Sequence, residues 1–228
     1  MSLKNKRILI TAGPTWVPID SVRVISNIAT GETGRLLARK LISLGAKVTL
    51  LLGAVESCCL DKKINPALSY DDNRQCRRKG GIKLIRFKFF GELRNRLNKE
   101  LSAKKYDYII HSAAISDFKP TRIFNGKLDS QKAISLKLKP LPKVFRDIQR
   151  VSPKSRLVMF KLEAGVSDNT LIQRAKAAQH KAGAEFIVAN TLRPYRAFVI
   201  DRRGNILSAN SKNDLVRKLI KRIQFLCL

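Results

Sequence analysis

The chain has 228 residues, with 46 Lys and Arg against 17 Asp and Glu and a formal net charge of +29. That length, with 44% apolar residues, suffices for one α/β domain, 1–228, with a substantial core, and the excess of cations makes anionic partners the class to consider. No apolar run reaches the ~18 residues that a membrane-spanning helix needs, and the stretch after MSLKNKR is too short for a signal peptide, so a cytoplasmic protein with no membrane partner is expected.

RILIT, 7–11, is β-branched and predicts a buried strand, while GETGRLLARKLISLG predicts an amphipathic helix leading to a second strand at 48–52. Such a βαβ unit sets the loop after its first strand at the carboxyl edge of a parallel sheet, where backbone N–H groups and a helix N-terminus face an anion. Gly31 and Gly34 admit close approach there, flanked by the hydroxyls of Thr30 and Thr33; the same glycines equally serve to turn the chain and seat a helix on the sheet. The spacing is not a dinucleotide fingerprint, because only Gly13 precedes Pro14 and the next glycines follow Asn27.

Residues 56–81 read as a polar, irregular surface excursion. IKLIRFKFF, 82–90, alternates apolar and basic residues as a half-exposed strand does, and Leu93, Leu97 and Leu101 set a helical period within 91–107. YDYIIHSAA, 106–114, predicts a buried strand. Small residues at its end let a flat ligand approach, with Asp117 at the carboxyl edge; a packing contact and an Asp closing a turn before Pro120 satisfy the same pattern. Asn125-Gly126 marks a turn in a polar loop, 121–129, that carries Lys127 as a mobile flap.

AISLKLKP, 133–140, predicts a strand and LPKVFRDIQRV a short helix begun near Pro142. RLVMFKLEAG, 156–165, is a core strand, 169–182 a helix and EFIVAN, 185–190, a further strand. A hairpin around Arg203-Gly204-Asn205 and an amphipathic helix in DLVRKLIKRIQFL complete the chain. Strands alternating with helices predict a doubly wound, Rossmann-like, mostly parallel α/β sheet.

Cys58, Cys59, Cys76 and Cys227 lack zinc or redox spacing, and no residue is identified as a metal ligand. Lys and Arg are spread over nearly every segment, aromatics make up 7%, and no motif interleaves the two. The charge therefore reads as solvated surface, with no specific nucleic-acid partner.

ITAGPTWVPID, VRVISNIATGETG, AAISDFKP, GKLDS, LPKV, FKLE and FIVAN, in that order, resemble the phosphopantothenate-cysteine ligase family along most of the chain, in its stand-alone form. The resemblance implies a ligase of coenzyme A biosynthesis, a homodimer, in which the carboxylate of 4′-phosphopantothenate attacks the α-phosphate of CTP or ATP with Mg2+ present. Pyrophosphate leaves, and the amine of L-cysteine then displaces the nucleotide from the acyl intermediate. It further implies that Asn27 holds that intermediate, that Arg23 grips the phosphate or carboxylate of the substrate, and that Lys127 clamps the triphosphate. Gly31, Gly34 and Asn190 join the substrate site by the same resemblance. Gly13, His111, Ser112, Ala113, Ala114, Asp117, Pro142, Lys143 and Phe160 are assigned to the nucleotide. Lys176 and Lys181 are nucleotide candidates on the helix where family members carry lysines, and Trp16 departs from the family, which commonly has a charged residue there. CTP ranks ahead of ATP, as the stand-alone bacterial form favours it.

Two other classes fit parts of the sequence. A Rossmann-type NAD(P)-dependent oxidoreductase should end its second strand in an acidic residue, where this chain has Leu52-Gly53; a basic nucleic-acid-binding protein rests on charge alone.

Overall fold

The computed structural model describes residues 2–55, 76–77 and 82–227. In chain order these form β1 (Arg7–Ala12), β2 (Trp16–Pro18), β3 (Val24–Ser26), α1 (Glu32–Ser43), β4 (Lys47–Leu52), β5 (Cys76–Arg77), β6 (Ile82–Arg86), α2 (Phe90–Ala103) and β7 (Tyr108–His111). There follow β8 (Phe118–Pro120), β9 (Leu138–Pro140), α3 (Val144–Val151), β10 (Arg156–Leu162), α4 (Asp168–Ala182), β11 (Phe186–Asn190), β12 (Ala197–Asp201), β13 (Ile206–Ala209) and α5 (Lys212–Phe225).

The main sheet has the order β13-β12-β11-β10-β7-β1-β4-β6-β5. Its six central strands, β11 to β6, are parallel, and β12, β13 and β5 are antiparallel additions at the edges. The parallel strands, taken by chain order, lie 3-2-1-4-5-6 from β6 to β11, the doubly wound arrangement, so the order reverses between β1 and β7.

Alternate residues of each strand feed opposite layers. Ile8, Ile10, Ile110, Val158 and Val188 pack with Leu37 and Leu41 of α1 and Leu215 and Leu219 of α5. Leu9, Leu51, Ile109 and Leu157 face α2 and α3 through Leu93, Leu97, Val144 and Ile148. Burial on both faces explains why these strands read as continuous apolar runs. Ser167 and Ser211 accept amide hydrogens at the starts of α4 and α5, which fixes where those helices begin.

The structure departs from the sequence reading where alternation alone carried the expectation. The strand expected over 82–90 stops at Arg86; Phe87 and Phe90 both turn inward, and Phe90 opens α2. Of 133–140 only Leu138–Pro140 is a strand, pairing with β8 in a two-stranded ribbon where a turn was expected, because 133–137 have no sheet face to pack upon. The 106–114 strand contracts to Tyr108–His111, the helix expected over 91–107 ends at Ala103, and the short helix starts at Val144 rather than near Pro142. The β2–β3 hairpin was not expected. Cys58, Cys59 and most of 56–81 lie outside the described residues, and Cys76–Arg77 pair with β6 rather than forming irregular chain.

Candidate functional site

At a strand-order reversal the two loops ordinarily diverge and leave a crevice. Here the chains leaving β1 and β7 stay paired beyond the sheet. Ser112 donates to the Thr11 carbonyl through both its amide (3.1 Å) and its Oγ (2.7 Å), and Ala114 N donates to Gly13 O at 2.9 Å. Ser116 N donates to Thr15 Oγ1 at 2.9 Å, and both hydroxyl side chains are buried. This extension carries the first loop onto the α2–α3 face, where Val17 packs among Phe87, Phe90 and Leu141 and the β2–β3 hairpin forms.

From β3 the chain returns across the strand ends to enter α1 on the opposite face. Asn27 Nδ2 pins the crossing by donating to Ile115 O at 3.0 Å. Glycine is required at its end: Gly13 and Gly31 have φ of +80° and +67°, and a Cβ on Gly31 would lie 3.2 Å from Gly13 N. Gly34 faces the sheet instead, since its Cβ would fall 2.4 Å from the Ala12 Cβ and 3.1 Å from Ser112 Oγ. That close contact seats α1 on β1.

Arg23 donates through Nη1 to Asp20 Oδ2 (2.6 Å) and to Leu128 O (3.1 Å), which ties it to the loop carrying the exposed Lys127. That loop, expected as a mobile flap, is hydrogen-bonded to the β2–β3 turn. Asp117 and Lys143 form an exposed ion pair at 2.5 Å, and Leu141 N donates to Asp117 O at 2.8 Å, so the predicted residues Asp117, Pro142 and Lys143 do share one corner with the Ser112–Ala113–Ala114 stretch.

His111 Nδ1 lies 2.9 Å from Thr11 Oγ1, its register partner in β1. Desolvation pulls this imidazole down to about 4, so it is neutral near pH 7. It projects toward the α2–α3 face. Phe160 packs in the opposite layer with α1 and α5, and Asn190 follows Val188 on that same side. His111 and Phe160 therefore do not share a face, although the sequence reading grouped them around one nucleotide.

Lys176 and Lys181 are not brought to the strand ends. α4 starts at the carboxyl edge and runs back toward the beginning of β11, so Lys176 lies roughly 12 Å along it and Lys181 occupies its last turn at the other edge. On the β10–α4 side of this edge the fold places Lys161 and Arg174, both paired with Glu163 (3.1 and 2.9 Å). The sequence reading passed over these three, and Asp20, Thr15 and Ser116 as well. Only Asp20 carried a local signal, its i,i+3 spacing to Arg23.

Among the described residues no group of three His, Cys, Asp or Glu side chains could hold a metal ion, and no helix is long and apolar enough to cross a membrane. The edge thus offers cations, backbone amides, side-chain amides and a neutral imidazole. Those groups bind and orient anions and stabilise charge that develops on them.

The chain matches the family described as DNA/pantothenate metabolism flavoprotein C-terminal domain over residues 3–66 and 72–224. It is 32% identical over 194 residues to the coenzyme A biosynthesis bifunctional protein CoaBC of Thermococcus kodakarensis, covering 85% of this chain and 43% of that one. The chain spans about half the length of the curated relatives it matches, with 52% for the corresponding protein of Borreliella burgdorferi. The same fold occurs in the DNA/pantothenate metabolism flavoprotein of Streptococcus pneumoniae, with a TM-score of 0.80, 22% identity and coverage of 97% and 99% of the two chains. A Cab2 mutant in complex with phosphopantothenate-cysteine also shares it, with a TM-score of 0.74, 18% identity and coverage of 96% and 86%. The chain belongs to the DNA/pantothenate metabolism flavoprotein C-terminal domain family.

The buried imidazole yields a prediction. An NMR titration of the His111 ring should show a midpoint at about 4 rather than the ordinary ~6.5 of an unfolded chain. Because the unfolded state takes up that proton first, stability should fall as pH drops from about 6.5 to about 4, with no contribution above that window. A midpoint near 6.5 would contradict the assignment.

Proposed function

We propose that this chain joins 4′-phosphopantothenate to L-cysteine in coenzyme A biosynthesis, consuming a nucleoside triphosphate, CTP ahead of ATP, and releasing pyrophosphate. Family membership supports the reading, as do the names of the relatives and the phosphopantothenate-cysteine held by the Cab2 mutant. The observation that carries it is the Asn27–Gly31 crossing, which lays a side-chain amide and a glycine-bounded stretch of backbone over the strand ends.

In the first step a carboxylate oxygen of the substrate bonds to the α-phosphorus, and the bond from that phosphorus to the bridging oxygen breaks. Magnesium arrives with the triphosphate as part of that substrate. Two anions must meet, so Lys127 offsets triphosphate charge while Arg23 grips the phosphate or carboxylate of the other substrate. In the second step the cysteine amine bonds to the acyl carbon, a proton is released, and nucleoside monophosphate departs. Asn27 holds the acyl intermediate during that step through its amide. We place Gly13, Ser112, Ala113, Ala114, Asp117, Pro142 and Lys143 beside the nucleotide, with His111 as a neutral hydrogen-bonding group, and Phe160 and Asn190 on the other side of the strand ends.

An oxidoreductase reading fares worse. The residue that should hold a ribose at the end of β4 is Gly53, whose Cβ would stand 2.2 Å from Pro14 O, leaving no room for an acidic side chain. We also place the protein in the cytoplasm, without a specific nucleic-acid partner.

Pyrophosphate release should be seen with 4′-phosphopantothenate, cysteine and CTP, and Lys127→Gln should slow the first step roughly a hundredfold. The absence of turnover with either nucleotide would refute the ligase reading, and unchanged pyrophosphate formation in the variant would refute the role of Lys127.

We further propose a homodimer formed through one apolar patch. Val22, Ile28, Phe118, Ile123, Ile134 and Leu138 are all exposed, Ile28 at 98%, and all come from the β2–β3 hairpin with its return and from the 118–138 excursion. The narrow β8–β9 ribbon adds unpaired edge groups. Light scattering at micromolar concentration should give twice the 25.7 kDa chain mass, and Ile28→Asp with Phe118→Asp should shift it to monomer. An active monomer of the unaltered chain would contradict the proposal.

A further inference from the structure

Asp20 holds more donors than its turn requires. Its side chain is fully covered. Oδ1 accepts the amides of Val22 (2.8 Å) and Arg23 (2.6 Å), which is enough to close the turn between β2 and β3. Oδ2 accepts Arg23 Nη1 (2.6 Å) and also the amide of Leu128 (3.0 Å), 108 residues further along the chain. The Leu128 amide, with the Val22 and Arg23 donors, holds this carboxyl well below the usual carboxylate range despite its desolvation.

Around this carboxylate the loop bearing Lys127 is strapped along the turn. Phe124 N donates to Ile19 O (3.0 Å), Ser21 N to Gly126 O (3.1 Å) and Arg23 Nη1 to Leu128 O (3.1 Å). The backbone is therefore fixed on both sides of Lys127, with Gly126 at a φ of +72° just before it. Nothing in the packing of the core calls for this. The strapped loop is exposed apart from Phe124 and Leu128, and the turn itself would close without Leu128.

We propose that Asp20 is the positioning residue of the site: its carboxylate binds the Arg23 guanidinium and the Leu128 amide together, so that the two cations serving the two anionic substrates are held at a set separation. Asp20 touches neither substrate and acts through Arg23 and Lys127. The inference rests on the ligase reading for its kinetic consequence, while the strap itself is tested without it.

The experiment is hydrogen exchange and steady-state kinetics on the full chain carrying Asp20→Asn, which keeps the shape but presents an NH2 group to two donors. The amides of Ser21, Phe124 and Leu128 should exchange at least tenfold faster, with the strands 157–162 and 186–190 unchanged. Pyrophosphate release should lose about a hundredfold in kcat, while kcat/KM for cysteine, which enters after the first step, stays within about twofold. Leu128→Pro removes the donor from the other end, in a segment outside the core, and should reproduce the faster exchange at Ser21 and Phe124 and the loss in kcat; it decides the matter if Asp20→Asn does not fold. Wild-type exchange at Phe124 and Ser21 in either variant, or full kcat where exchange has risen, would overturn the proposal. A wild-type chain that releases no pyrophosphate would remove the ligase reading instead, and the exchange results would still decide whether Asp20 holds the strap.

Discussion

The prolonged pairing of β1 with β7 is the constraint from which the rest of the edge follows. A strand end normally frees its loop to turn toward its own helix. Here the hydrogen bonds from Ser112, Ala114 and Ser116 to Thr11, Gly13 and Thr15 keep the first loop bound to the second for several residues more. Buried hydroxyls at Thr15 and Ser116 make this pairing costly to break, since separation would leave polar groups without partners. The chain leaving β1 is thereby committed to the wrong face for α1 and must cross back. That forced return puts Asn27 over the strand ends, requires positive φ at Gly31, and projects the β2–β3 turn far enough to meet the loop of Lys127.

Charge acts on two scales. The net +29 sets a broad field that draws in anions and is screened over ~10 Å at moderate salt. Ion pairs such as Asp117–Lys143, with both side chains exposed, contribute little to stability. The pairing at Asp20 differs because its carboxylate is covered and met by oriented donors, which makes it a fixed geometric element rather than a surface contact. Away from the carboxyl edge, Glu100 plays a comparable part between Lys83 and Tyr106, both at 2.5 Å, and ties α2 to β6.

The central sheet was legible because Ile8, Ile10, Ile109 and Ile110 must be buried on both faces, and a short continuous apolar run of that kind suits a strand covered on both sides. The two small ribbons were not. β2 and β8 are three residues each and carry a proline, too short for any period to show, and β8 finds its partner β9 across a long excursion. The site divided in the same way. Asn27, Arg23, Asp117 and Lys143 sit in local motifs whose surroundings announce a loop at a strand end. Asp20 gave only a spacing to Arg23, because its defining partner, Leu128, is 108 residues away. The separation of His111 from Phe160 follows from register, which fixes the face of each residue and cannot be read from either segment alone.

If the Asn27–Gly31 crossing forms the reaction site, removing the Asn27 amide must stall the reaction between its two steps. The decisive measurement is mass spectrometry of quenched reactions of Asn27→Ala with 4′-phosphopantothenate, CTP and cysteine, on protein whose fold is verified by circular dichroism. One equivalent of the acyl-cytidylyl species should accumulate with pyrophosphate, while the cysteine adduct forms at least about a hundredfold more slowly. A cysteine adduct formed at the wild-type rate, or a folded variant that yields no acyl-nucleotidyl species at all, would contradict it.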